Sequence, residues 1–197
     1  MIPRPLLIGV AAMVLAAAGM GFYVWQMKGR SVAREPLTDT RPVPPPASGT
    51  PEQVTLCLAY DDPGLLLPQL ARIPLPEGRQ QRAEELLRAL LNIYLEKSSP
   101  HTLGTGSDIR EVFLIDPGLA VVDLNTAFAD GHRSDILVEE LTVASLVQTL
   151  SMNVPGITRV KFLVDGKERD TLAGHADLSG FYDVSAVSQL LAQMDEH

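Results

Sequence analysis

Residues 5–25 carry no charge and almost no polar atom, reading PLLIGVAAMVLAAAGMGFYVW. As a helix rising about 1.5 Å per residue they would span roughly 31 Å, close to the hydrocarbon thickness of a bilayer. Tyr23 and Trp25 close the run, where amphipathic rings prefer the interface, and Lys28 and Arg30 follow at once. The sequence predicts a short tail over residues 1–4 and a single transmembrane anchor over residues 5–27. A cleaved signal peptide is the competing reading. Arg4, the apolar run and Ala16-Ala17-Ala18 resemble its three parts, but the run continues past those alanines, longer than a signal core needs. The positive-inside count of Lys28, Arg30 and Arg34, taken alone, places the C-terminal side in the cytoplasm.

Six of the sixteen residues from 36 to 51 are proline, three of them consecutive at Pro44-Pro45-Pro46. Such a stretch is extended and semi-rigid and builds no core. Residues 28–52 therefore read as a linker, 53–172 as one folded domain and 173–197 as a C-terminal extension. Charge divides along the same line. Residues 1–50 hold five Lys/Arg against two Asp/Glu, a balance of +3, and residues 51–197 hold eleven against twenty-two, a balance of −11. An acidic body repels a phosphate backbone, so nucleic acid is not an expected partner. The single Cys, Cys57, excludes an intrachain disulfide framework and any multi-Cys zinc site.

Within the folded part, residues 53–61 are rich in β-branched and apolar types and end in Asp61-Asp62-Pro63-Gly64, a turn signal. Residues 65–75 are apolar but contain Pro68 and Pro74, which suits an edge strand. In 79–97 Ala83, Leu86, Leu87, Leu90, Leu91 and Tyr94 recur at helical spacing opposite a charged face. Residues 98–108 form a polar loop. Runs at 109–115 and 119–124 flank Asp116-Pro117-Gly118 and read as an antiparallel hairpin. Both faces of the first run are apolar, so it is expected at the centre of the sheet. Ser134 is a candidate N-cap for a largely buried helix over 135–153. A strand at 158–164, a turn at Asp165-Gly166, a short return strand at 168–172 and a helix at 185–194 complete the order. No succession of strand–helix–strand units marks a parallel nucleotide-binding sheet. The expected class is α+β: a mixed or antiparallel sheet of about four to five strands with two helices on one face, preceded by the transmembrane helix.

A search for chemistry finds no site. His101, His132, His175 and His197 lie far apart along the chain, and no pair has the four-residue spacing of a helical zinc site. No Gly-x-Ser-x-Gly occurs. Gly104-Thr105-Gly106-Ser107 lacks the Lys and the following helix of a phosphate loop and reads as a mobile loop. Asp116 belongs to its turn, Asp123 ends a strand where it would bond local backbone, and Asp130 sits in a loop. Gly174-His175-Ala176-Asp177 is the nearest His–Asp pair. No catalytic, cofactor-binding or metal-ligating residue is therefore assigned, and no small-molecule substrate or cofactor is expected. The unpaired edge at 65–70 either accepts a partner strand or is blunted by its prolines.

Four blocks together resemble the GerMN domain family. They are VTLCLAY with its acidic turn, RAEELLRALL after Leu-Pro-Glu-Gly, the hairpin VFLIDPGLAVVDLNTAF, and ELTVASLVQTLSMNVPGITRVKFLVDGKE. The resemblance covers about residues 52–170. It implies a small α/β module similar to the ring-building motifs of secretion systems, with no established catalytic residues. It also implies presentation outside the cytoplasmic membrane, against the bare charge count. The family's founding member carries two such domains and a lipid anchor, whereas this chain shows one domain and no lipidation Cys. What carries over is an envelope-associated module that binds envelope proteins or itself. A module binding peptidoglycan or another wall polymer is the alternative.

Overall fold

The computed structural model describes residues 49–194, and the anchor expected over 5–27 lies outside them. The chain divides into two units between Pro45 and Pro46, and all described residues belong to the second. No helix among the described residues is long and apolar enough to cross a membrane.

Strands β1 (Thr50–Tyr60) and β2 (Leu65–Leu75) form an antiparallel ribbon, paired from Thr50↔Leu75 to Tyr60↔Leu65. Helix α1 (Arg79–Tyr94) follows and buries the apolar stripe its spacing predicts, from Ala83 to Tyr94. Strands β3 (Ile109–Ile115) and β4 (Leu119–Leu124) make the Asp-Pro-Gly hairpin. Gly118 at φ +85° is required there, because a Cβ would lie 2.6 Å from the Gly156 carbonyl oxygen. A short helix α2 (Thr126–Asp130), capped by Asn125, leads to α3 (Ile136–Asn153). Strand β5 (Arg159–Val164) then returns parallel to β4. A two-residue strand β6 (Tyr182–Asp183) runs antiparallel to β5, and α4 (Val184–Met194) follows. The class is α+β, with a four-stranded mixed sheet ordered β3-β4-β5-β6 and a separate two-stranded sheet. Alternate residues Val112, Val122, Leu124, Val160 and Phe162 bury the inner sheet face, and α1 packs on both β3 and α3.

The expected single sheet is thus two, and α3 is the reason. Ser145, Thr149 and Asn153 recur every four residues along one side of the helix and face the far edge of β1. Asn153 Oδ1 accepts from Thr55 N at 3.0 Å and Asn153 Nδ2 donates to Thr55 O at 2.7 Å. Thr149 Oγ1 accepts from Cys57 N at 3.0 Å, and Ser145 Oγ donates to Cys57 O. The hydroxyl of Tyr94, at the end of α1, accepts from Ala59 N at 2.8 Å. Four helical residues advance about 6 Å and two strand residues about 6.7 Å, so the two ladders stay in step over these contacts. The helix takes the place of a neighbouring strand.

Three further expectations are corrected. Strand β3 lies at the sheet edge, not the centre. Its second apolar face is open: Phe113 is 39% and Ile115 49% exposed. Its free edge is partly covered by α1, with Val112 N donating to Glu84 and Arg88 donating to the Ile109 carbonyl. The cap of α3 is Asp135, not Ser134; its carboxylate accepts from the amides of Leu137 and Val138. Residues 168–172 form no strand. Asp165 (φ 50°) and Gly166 (φ 70°) make the turn, but only Lys167 pairs back, with Val164. Beyond it residues 170–172 pair forward with 176–178 instead of back with β5: Leu178 N donates to the Asp170 carbonyl at 2.8 Å and Leu172 N to the Ala176 carbonyl at 2.9 Å, while the amides of Ala173, His175 and Ala176 between them bond to Glu139. Residues 173–194 supply Ala176, Leu178 and Val187 to the core and β6 to the sheet.

Candidate functional site

Two buried polar centres sit on consecutive turns of α3. The first gathers residues the sequence keeps far apart. His101 Nδ1 lies 2.6 Å from Asp61 Oδ1, and the Nε2 atoms of His101 and His132 each lie 2.8 Å from Thr142 Oγ1. His132 Nδ1 meets the Arg133 carbonyl at 2.8 Å. Burial pushes both imidazoles below their ordinary pKa, on His101 against the opposing pull of Asp61. Carboxylate, imidazole and hydroxyl stand in the order of a nucleophilic triad. Yet Thr142 is 1% exposed, is shared between two imidazoles, and donates back to the Val138 carbonyl. A substrate has no approach to that oxygen. The cluster clamps the end of β1, the 98–108 loop and the segment before α3 onto one helix.

The second centre is Glu139, fully buried. Its Oε2 accepts from the amides of Ala173, His175 and Ala176 at 2.9 Å each, and its Oε1 lies 2.8 Å from His175 Nδ1. Burial alone would raise its pKa. The three amides and the imidazole outweigh that and hold it at about 2. Glu139 is therefore a fixed anion around which the 173–176 loop folds.

The remaining candidates take structural places. Cys57 is buried, its Sγ 3.3 Å from Met152 Sδ, and burial pushes the thiol up to about 11. Asp116 is solvent-exposed, 3.8 Å from Arg79. Asp123 does not bond local backbone: it accepts from the distant Gly166 amide at 2.7 Å and from Arg110 at 3.2 Å. Asp130 pairs with Arg169 at 2.8 Å. In the 104–107 loop Gly104 packs backbone to backbone on Gly131, and Asn125 donates to the Gly106 carbonyl. His175 and Asp177 do not engage each other; Asp177 accepts from Ser179. His197 lies outside the described residues. Among those residues no group of three or more His, Cys, Asp or Glu could hold a metal ion.

The Germane family, described as sporulation and spore germination, matches residues 60–170. The chain belongs to this family. Its fold is similar to the tandem GerMN domains of the sporulation protein GerM from Bacillus subtilis, at 20% identity and a TM-score of 0.51. That match covers 68% of this chain and 46% of the other, so this chain spans about half of the tandem protein. The first GerMN domain of the same GerM protein matches at 18% identity and a TM-score of 0.45, covering 64% of this chain and 92% of that one. No curated protein matches the chain.

One concave surface combines the Germane core with an element outside the matched residues. It is a groove of about 190 Å³ between α3 and α4. Leu141 and Ala144 line it from α3, Val187 and Leu191 from α4, with Tyr182 and Glu140 also on its wall. The Tyr182 hydroxyl donates to the Asp177 carbonyl at 2.8 Å and so is engaged within the fold. Leu137 and Leu190, also lining it, are 41% and 50% exposed. Sequence reasoning missed the groove because its two walls lie more than 40 residues apart.

Proposed function

We propose that this Germane-family chain is a membrane-anchored envelope protein whose domain stands outside the cytoplasmic membrane. There it works without catalysis, as a scaffold or interaction module. The observation that carries the reading is apolar surface that the described domain leaves uncovered. Phe113 and Ile115 stand open on the outer sheet face, and Leu137 and Leu190 stand open at the groove. Contiguous exposed apolar patches mark interaction sites, and these residues are the candidates for one. The family's description and the proline-rich linker support an envelope setting. A wall-polymer site would be expected to offer aromatic faces to sugar rings; the groove, lined by aliphatic side chains and one tyrosine, does not, and the exposed rings of Phe113 and Phe181 lie outside it.

Protease treatment of spheroplasts, beside a cytoplasmic control protein, tests the location. Digestion of residues 53–197 with the control intact is the expected result. Protection until lysis would place the domain in the cytoplasm, as the charges of Lys28, Arg30 and Arg34 indicate. A photo-reactive residue replacing Phe113 in the full chain then tests for a protein partner, and cross-links to envelope proteins are expected.

A further inference from the structure

The α3–α4 groove has a polar feature that fold stability does not explain. Glu140 lines an otherwise apolar wall, is half-buried, and has no hydrogen bond or ion pair among the described residues. Its neighbour on the helix, Glu139, is fully saturated, so Glu140 gains nothing from the amides of the 173–176 loop. Burial, followed by the charges of Glu139 and Asp177, raises its pKa. Glu84 and Glu85, also half-buried, both have Arg88 as a partner. A carboxylate left alone beside two other acids and facing an apolar groove is a place for a cation with an apolar body.

The dimensions narrow the choice. At about 190 Å³ the groove is smaller than the roughly 300–1,000 Å³ of a typical small-molecule pocket, and its size suits one anchoring side chain. Leu137 and Leu190 extend the apolar surface outward, as a longer docking segment requires. A second copy of this chain is disfavoured as the occupant, because residues 51–197 carry eleven Lys/Arg against twenty-two Asp/Glu and two such acidic bodies repel.

We propose that the α3–α4 groove docks an apolar segment of a partner protein, with one Lys or Arg beside its anchoring side chain so that the cation meets Glu140. The proposal rests on the interaction-module reading and adds the partner's chemistry. It also gives α4 a role beyond the residues shared with the family.

The test is a selection of random twelve-residue displayed peptides on the full chain in neutral-lipid nanodiscs. Glu140→Gln and Glu140→Lys are parallel targets, each checked for an unchanged thermal midpoint. The expected peptides are apolar with a Lys or Arg. They bind wild type about tenfold more tightly than Glu140→Gln, the scale of losing one partly desolvated charge pair, and do not bind Glu140→Lys. Enriched peptides without a basic residue, or ones indifferent to Glu140→Gln, would overturn the proposal. So would the absence of enrichment. Self-association abolished by Glu140→Lys would make a second copy the occupant and equally overturn it. A photo-reactive residue replacing Leu190, beside the one replacing Phe113, separates this failure from a wider one. Cross-links at Phe113 alone would remove the groove and leave the interaction module standing.

Discussion

Strands β1 and β2 are equally long and pair along their whole length, yet their outer edges differ. The outward amides of β1 belong to Thr55, Cys57 and Ala59, and side chains of Asn153, Thr149 and Tyr94 accept all three. Because those residues point away from β2, their partners Leu70, Pro68 and Leu66 point away from β1. The same alternation puts Arg72 and Pro74 on the outer edge. Both prolines of β2 thus sit where an N–H would otherwise face outward, leaving outward amides at Leu66, Leu70 and Arg72. One edge is satisfied from within by a helix, and the other is interrupted. On this basis the contacts proposed above are assigned to the faces, the open sheet surface around Phe113 and the groove beside α4, and not to these strand edges.

The largest loss of stability is expected at Asn153. Asn153→Leu leaves both Thr55 N and Thr55 O without partners and should cost about 2–6 kcal/mol, at roughly 1–3 per orphaned group, towards the lower end because Thr55 is only part-buried. Chemical denaturation measures it. A loss under 0.5 kcal/mol would mean water replaces the side chain freely. Thr149→Val keeps the shape and removes one acceptor, and should cost about 1–3 kcal/mol. On the other strand, Pro68→Val restores an outward N–H. It should change stability by less than about 0.5 kcal/mol, as surface substitutions do, while concentration-dependent self-association appears in sedimentation.

Acid sharpens a related contrast between the two polar centres of α3. The Glu139 carboxyl, at about 2 in the fold against an ordinary 4.5, makes the unfolded chain bind a proton first as pH falls. Its contribution of about 3 kcal/mol is therefore complete above pH 4.5 and is lost towards pH 2. Glu139→Gln should flatten that part of the stability profile. His101 and His132 are held below their ordinary 6.5, so the fold favours their neutral forms. Their contribution is complete above pH 6.5 and falls as the pH drops below it. Replacing both by Gln should remove the slope in this upper window and leave the Glu139 window in place. Coincident loss of both windows in either variant would show a single coupled centre.

Much of the fold is legible in the sequence where one period or turn dominates. The Leu86–Leu91 stripe of α1 and the Asp-Pro-Gly hairpin are local signals, and the structure follows them. The misplaced β3 shows the limit of pattern: Phe113 and Ile115 read as buried only if something covers the outer sheet face. Ser145, Thr149 and Asn153 look like ordinary polar substitutions until β1 lies beside them. The histidine centre has no local signature, because Asp61, His101, His132 and Thr142 come from four separate segments. Glu140 was equally hidden, since its meaning depends on what fails to reach it.

Amide hydrogen exchange on the full chain in nanodiscs tests the edge account most directly. The account predicts slow exchange at Thr55, Cys57 and Ala59, approaching the global unfolding limit, and fast exchange at Leu66, Leu70 and Arg72. It predicts that adding envelope extract leaves the β2 amides fast. Slow exchange at Leu70 and Arg72 only in the presence of extract would show a partner strand added to β2, and would contradict the claim that this domain binds through its faces.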